Sequence, residues 1–581
     1  MKSFKKIVAC ILCFTIMIAS CGCQLKSTKE EPLKSFDAFI TEMFQKEVSA
    51  DTISLHYCIS NPENYGIKEP EASLGEYSVT HMNEEISKAE NYLSTLKRYD
   101  PAELTEEEKL IYDILMITLE NTIKTGDYLY YQETLGPTTG VQAQLPILLA
   151  EYSFYKESDI TTYLNLLGSI GTYFEQISEF EREKSEKGFF MSDDVADMII
   201  SQCSDFIKDP ENNLLIECFN EKIASFEGLS AESMISYAEQ NKKAVLESVI
   251  PAYENLIATL QELKGTSTNQ IGLCGFNEGK AYYELLCQMS TGSSKTIKEM
   301  KTALSNTLNS SILTMTTIQI QNPTITTQLN TFKFPKTDPY EILTYLKGAI
   351  KDDFPAINDV NCSVRYVHES MRDHLSPAMY LVPPIDCYTE NYIYINNNPV
   401  YDMSEIFPTI AHEGYPGHLY QNVYFRSQNP NPVRNIINIT GYDEGWATYV
   451  EAYSYSLAGL TKDLQNMLVA NMIALHCLYS LSDIGIHYEG WTKSDTAEFW
   501  NVYGISSDIA EDIYYTILSE PGIYLPYSIG YIEIMELQTK AKNALGDKFT
   551  LMNFHEFLLK IGPCPYSVIN AYMEKWLSSQ K

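Results

Sequence analysis

The sequence predicts a mainly α protein with a small inserted β-sheet, and three observations carry that reading. Apolar residues recur at helical spacing along most of the chain. Strand-like writing is confined to a short middle region. The 581 residues, 45% hydrophobic and 20% charged, have the composition of a globular protein large enough for an extended core. In chain order, Thr105-Glu106-Glu107-Glu108 reads as a capping box opening a helix whose apolar face runs Ile111, Ile114, Leu115 and Leu119. Helical periodicity recurs over Ile160–Glu181, Ala231–Leu263 and Leu460–Ile486, with breaks expected at Gly136-Pro137, at Pro251 and over Gly265–Gly272. Val364–Val367, Ala378–Val382 and Tyr392–Ile395 read as strands, the last stopped by Asn396, Asn397, Asn398 and Pro399. Helices resume from Ser404.

The N-terminus is a leader. Met1–Lys6 carries three lysines, and the apolar stretch Ile7–Ser20 suits the core of a signal peptide and is short for a membrane span. Residues 1–20 are therefore read as a signal peptide. Ile18-Ala19-Ser20-Cys21 resembles the bacterial lipobox, which marks Cys21 for lipidation; the alternative is an ordinary secretory signal with an incidental cysteine. Lipid on Cys21 would anchor the chain at the extracytoplasmic side of the cell membrane. The polar residues 21–34 form a tether, and no later segment is read as reaching transmembrane length. The rest, 35–581, is taken as one helical domain, with an N-terminal helical part to about 265 and a metal-site part over about 266–581.

Charge excludes one class of partner. With 42 basic and 76 acidic residues the net charge is −34, so the chain would repel nucleic acid. Thirteen cysteines include no CxxC pair in the body, so most are expected to be small buried hydrophobes. There is neither a G-x-S-x-G elbow nor a P-loop.

Seven of the nine histidines lie after residue 360, two of them in His412-Glu413-Gly414-Tyr415-Pro416-Gly417-His418. A His-Glu pair followed by another His is how zinc hydrolases set two neutral imidazoles around a carboxylate base. The usual spacing is i, i+4; at i, i+6 the rings would stand about 120° apart around a regular helix. Pro416, whose ring collides with the carbonyl of His412, and Gly417 are expected to bend the chain and bring His418 back. The competing reading is a helix end with surface histidines. Glu444, 26 residues on in Asp443-Glu444-Gly445-Trp446-Ala447, could supply a carboxylate from a second helix. Glu451 shares its face and could bond a ligating histidine. Asp483 and His487, four apart, either orient a ligand or stabilise their helix. Tyr527 and Tyr531 lie on a Gly/Pro-interrupted stretch where a phenol could face an oxyanion.

The pattern H-E-x-x-P-G-H at His412–His418 with E-G-W-A at Glu444–Ala447 resembles the bacterial family called domain of unknown function 885. That family is regarded as zinc metallopeptidases of the gluzincin type, akin in fold to thimet oligopeptidase-like enzymes. His56-Tyr57, Asn61-Pro62-Glu63, Gly279–Leu285, Asp483–His487, Tyr527–Gly530 and Phe554–Leu559 are similar to its recurring segments, so the resemblance runs along almost the whole mature chain. It implies a helical body around a deep cleft, Zn2+ held by His412, His418 and Glu444, Glu413 as general base, and Tyr527 polarising the scissile carbonyl of a peptide substrate, with Tyr531 a weaker candidate. Relatives often carry arginine before Asp483, where this chain has Asn471 and His476. The strand Tyr392–Ile395 is expected to pair with an extended peptide. Two rival readings remain: a lipid-anchored binding protein with a vestigial metal site, and a zinc hydrolase of a non-peptide amide or ester.

Overall fold

The structure, a computed structural model, describes residues 32–369, 372 and 376–580. The signal peptide and Cys21 lie outside the described residues. The chain is mainly α, from Phe36–Val48 to Tyr566–Gln580, with one three-stranded sheet. The capping box forms as the sequence predicts: Glu108 N–H donates to Thr105 Oγ1 at 3.2 Å and Thr105 N–H to Glu108 Oε2 at 2.9 Å. Ile111, Ile114, Leu115 and Leu119 are all buried behind it.

The break expected at Pro251 does not occur. Helix Ala231–Ala244 runs through a π turn, Val245–Val249, into Ile250–Leu263. A proline ring crowds the carbonyl four residues back. Here the wider turn, in which Ile250 N–H reaches Val245 O, opens the helix just before the ring. The helices over 141–263 enclose an apolar cluster around Leu166, Phe174, Ile177 and Tyr253, which Val367 and Tyr394 also enter from the middle of the chain. A larger cluster joins Tyr283, Phe354, Trp446, Ile529 and Ile569. The nine cysteines among the described residues are all free thiols.

Six helices and the sheet frame the site. α1 is Gly279–Thr291. The sheet holds β1 (Asn361–Tyr366), β2 (Ala378–Leu381) and β3 (Glu390–Ile395) in the order β1-β3-β2. β1 runs parallel to β3 and β2 antiparallel, with Tyr380 opposite Ile393. This corrects one expectation: β3, which contains Tyr392–Ile395, is the central strand with both edges already paired, so an added peptide has no place on it. β2 is the edge.

Then follow α2 (Phe407–Glu413), α3 (His418–Ser427), α4 (Thr440–Ser454), α5 (Lys462–Ile484) and α6 (Leu525–Leu545). Contrary to the sequence reading, one later segment is long and apolar enough to cross a membrane: α5 and its continuation to Glu489, 28 residues. Its apolar length is spent on the core, where 67% of its 18-residue apolar window is buried.

α4 and α6 meet at glycines. A Cβ on Gly530 would stand 2.7 Å from Gly445 Cα, and one on Gly445 would stand 2.6 Å from Gly530 Cα. Gly441, one turn earlier on α4, lies as close to the Thr291 backbone at the end of α1. No side chain could separate these helices, so the backbones of α4 and α6 touch directly. Gly530→Ala is expected to cost about 2 kcal/mol of stability by overpacking. Gly348→Ala, at a helical glycine with nothing within 4 Å, should be neutral or slightly stabilising. Denaturant unfolding of both variants checks this; equal stabilities would contradict the close seam.

Candidate metal centre

His412 sits in the last turn of α2, which Phe407, Ile410 and Ala411 root in the core. The helix does not merely bend after it, as expected from Pro416, but ends: 414–417 are non-helical, the Tyr415–Pro416 peptide is cis, and α3 begins at His418. Gly417 passes directly against the His412 carbonyl oxygen, where any Cβ would collide. Trp446, fully buried on α4, ties the break down by donating its indole N–H to Pro416 O at 3.0 Å. The two imidazoles therefore leave separate helix ends and meet with ring centroids 4.9 Å apart at 80°.

Glu444 reaches the same point from α4. Its Oε2 lies 3.5 Å from His412 Nε2 and 3.5 Å from His418 Nε2. The three ligand atoms lie within 4.8 Å of one another. Zinc bonds of about 2.0–2.1 Å in a tetrahedron place neighbouring ligand atoms about 3.3–3.4 Å apart, close to both measured pairs. Glu444 Oε2 is moreover a buried oxygen without a hydrogen bond. A two-imidazole, one-carboxylate set converging on such an atom fits Zn2+.

The surroundings orient these groups. Glu451, two turns along α4 from Glu444, places Oε2 3.0 Å from His412 Nδ1, which presents Nε2 to the centre. Burial disfavours charge on His412, yet the Glu444 and Glu451 carboxylates hold its pKa well above the usual value. Burial raises Glu444 as well, but the two histidines outweigh it and draw its pKa well down. Binding a cation here would displace protons from the imidazoles. Glu413, beside the first ligand, accepts the Tyr380 N–H of β2 at 2.8 Å, and burial pushes its carboxyl up against the pull of both histidines.

Tyr527, in the first turn of α6, stacks between His412 (6.5 Å, 22°) and His476 of α5 (5.8 Å, 8°). Burial, with the Glu444 and Glu413 carboxylates nearby, holds its phenol protonated well above the usual range. The structure thus brings His412, Glu413, His418, Glu444, Glu451 and Tyr527 together. Tyr531, one turn beyond Tyr527, lies instead near Cys477 and Tyr449 in the core. Asp483 and His487 serve the fold. Asp483 accepts from Tyr283 O–H at 2.6 Å and from Gly522 N–H, while His487 bridges Leu273 N–H and Ile517 O. Asn471 is exposed. The Tyr380 contact was missed because a backbone N–H leaves no residue signature, and His476 because a lone histidine on an apolar helix points nowhere by itself.

The family model described as a bacterial protein of unknown function, DUF885, matches residues 62–573. The chain belongs to that family. It has the fold of a chain from Colwellia psychrerythraea, described as a "putative lipoprotein", at TM-score 0.83 and 17% identity over 94% of this chain and 99% of that one. A Shewanella oneidensis chain, described as a "putative lipoprotein of unknown function", aligns at TM-score 0.64 and 17% identity over 93% and 100%. A Bacillus anthracis chain described as a "putative oligoendopeptidase F" aligns at only 0.34 and 12%, over 85% and 96%, a likeness too slight to carry a conclusion. No curated protein matches.

Replacing Glu451 with Gln, which keeps the shape but removes the carboxylate behind His412, should weaken zinc binding about 10- to 100-fold. Competition against a chromogenic chelator measures it; unchanged affinity would mean that Glu451 does not orient the ligand.

Proposed function

We propose that this protein hydrolyses peptide bonds in oligopeptides with zinc held by His412, His418 and Glu444. The observation that carries the reading is the convergence of the two imidazole nitrogens on the unbonded Glu444 oxygen with Glu413 beside them. When bound, a zinc ion supplies Lewis acidity that lowers the pKa of water and polarises a carbonyl. Glu413, steadied through one oxygen by the Tyr380 N–H, takes the proton of the attacking water and returns it to the leaving amine. The Tyr527 hydroxyl, which has no protein hydrogen bond among the described residues, donates to the developing oxyanion.

A peptide rather than a compact ester is favoured by β2. The register turns Tyr380 C=O and Val382 N–H away from β3, next to Glu413, and neither is bonded among the described residues. An extended chain would find backbone partners there. Lipid on Cys21 would set this chemistry at the outer face of the cell membrane, in keeping with the lipoprotein descriptions of the two similar chains.

Glu413→Gln should leave zinc bound at one equivalent and lower kcat on a mixed oligopeptide digest by at least about 100-fold. Tyr527→Phe should lower kcat by about 100-fold or more with little change in KM. Peptide cleavage retained in the Glu413→Gln variant would remove the base assignment. Zinc binding without cleavage of any peptide by the unaltered protein would instead favour the binding-protein reading.

A further inference from the structure

A cavity of about 1090 Å3 opens beside β2, walled by Tyr380, Leu381 and Val382 on one side and by Tyr57, Leu148 and Ile439 elsewhere. Four of its lining residues are charged: Glu47, Glu85, Lys88 and Arg426. Three of these form one ion-pair group, in which Lys88 lies 3.1 Å from Glu47 and pairs also with Glu85, leaving one carboxylate in excess. Arg426 stands apart. No carboxylate lies within 4.0 Å of its guanidinium among the described residues. Its one hydrogen bond runs from Nη1 to the carbonyl of Pro383, and its Nε is buried without a partner.

Such a cation is costly to hold. Burial works against the Arg426 charge, and a guanidinium denied water is stabilised by an anion that its fork can grip through two N–H groups. Asp386 favours the charge from a distance, but neither it nor the wall carboxylates Glu47 and Glu85 come within ion-pair distance of the guanidinium. Pro383, which Arg426 contacts, follows directly on the strand that holds Glu413. Tyr380 to Pro383 is three residues, about 10 Å of extended chain. A peptide lying along β2 with its scissile carbonyl at Glu413 would reach Arg426 within two or three residues.

We propose that Arg426 binds the free C-terminal carboxylate of the substrate, so that the protein selects peptides with an unblocked C-terminus and releases short fragments of two or three residues from that end. This rests on the peptidase reading above and adds the substrate class to it. The cavity has room for the side chains of such a fragment and is mostly apolar, so selection falls on the terminus and on bulk. Arg426 lies on α3, two turns beyond the ligand His418, so the same helix that presents the ligand presents the anchor.

The test separates binding from turnover. Zinc-loaded protein carrying Glu413→Gln is titrated with N-dansylated pentapeptides, as free acids and as C-terminal amides. Acids should bind at least about tenfold tighter than amides. Adding Arg426→Gln should remove the difference, and Arg426→Lys should keep part of it. Acids and amides bound equally would overturn the proposal without recourse to any Arg426 variant, and so would a difference that survives Arg426→Gln. Inorganic phosphate binding as tightly as the peptide acids would overturn it too, since the site would then be a general anion site. Digestion by the unaltered protein is the separate arm. Failure to cleave, with the acid preference intact, would defeat the peptidase reading but leave the carboxylate site standing; cleavage that releases no two- or three-residue C-terminal fragments would defeat the placement of the anchor.

Discussion

The contact on which the rest depends is the passage of Gly417 across the carbonyl of His412. In a continuous helix two histidines six positions apart diverge. Ending α2 at Glu413 and restarting at His418 lets each imidazole leave its own helix end, and the gap is closed only because the chain touches the His412 carbonyl where no side chain fits. Trp446 fastens the turn from outside through Pro416. The broken helix is thus held by the same segment of α4 that delivers Glu444, which couples the positions of all three candidate ligands.

Depth is set by the second glycine contact. Because α4 and α6 touch backbone to backbone at Gly445 and Gly530, Glu444 and Tyr527 are carried to the same side of the seam, one residue and three residues away from it. A wider spacing between these helices would withdraw the phenol from the centre. Further from the site, Asp483 and His487 lash α5 to three other segments through buried hydrogen bonds. That bracing also fixes His476 behind Tyr527.

Charge is distributed unevenly over this acidic chain. Among the described residues many cations pair with nearby carboxylates, and Lys88 pairs with two. Two groups stand out: Glu444 keeps an oxygen unbonded between two imidazoles, and Arg426, beside an edge strand, keeps its Nε unbonded and has no carboxylate within ion-pair distance among the described residues. β2 lies between them, with Tyr380 near its C-terminal end and the Arg426 contact at Pro383 just past that end.

Much of this was legible in the chain itself. Periodicity located the helices, including the capping box at Thr105, because an amphipathic face is written in every turn; and the H-E-x-x-P-G-H and E-G-W-A patterns named His412, His418 and Glu444 as candidate ligands despite their unusual spacing, because the chemistry of a zinc site limits which residues can serve. Pro251 misled because a π turn absorbs what a local rule counts as a break. Which strand lay at the sheet edge, that Tyr380 would hold Glu413 by its backbone, that Asp483 and His487 would brace the fold, and that Arg426 would be left unpaired were decided only in three dimensions. Those outcomes depend on contacts between segments far apart in the chain, and no local pattern of residues encodes which distant neighbour will arrive.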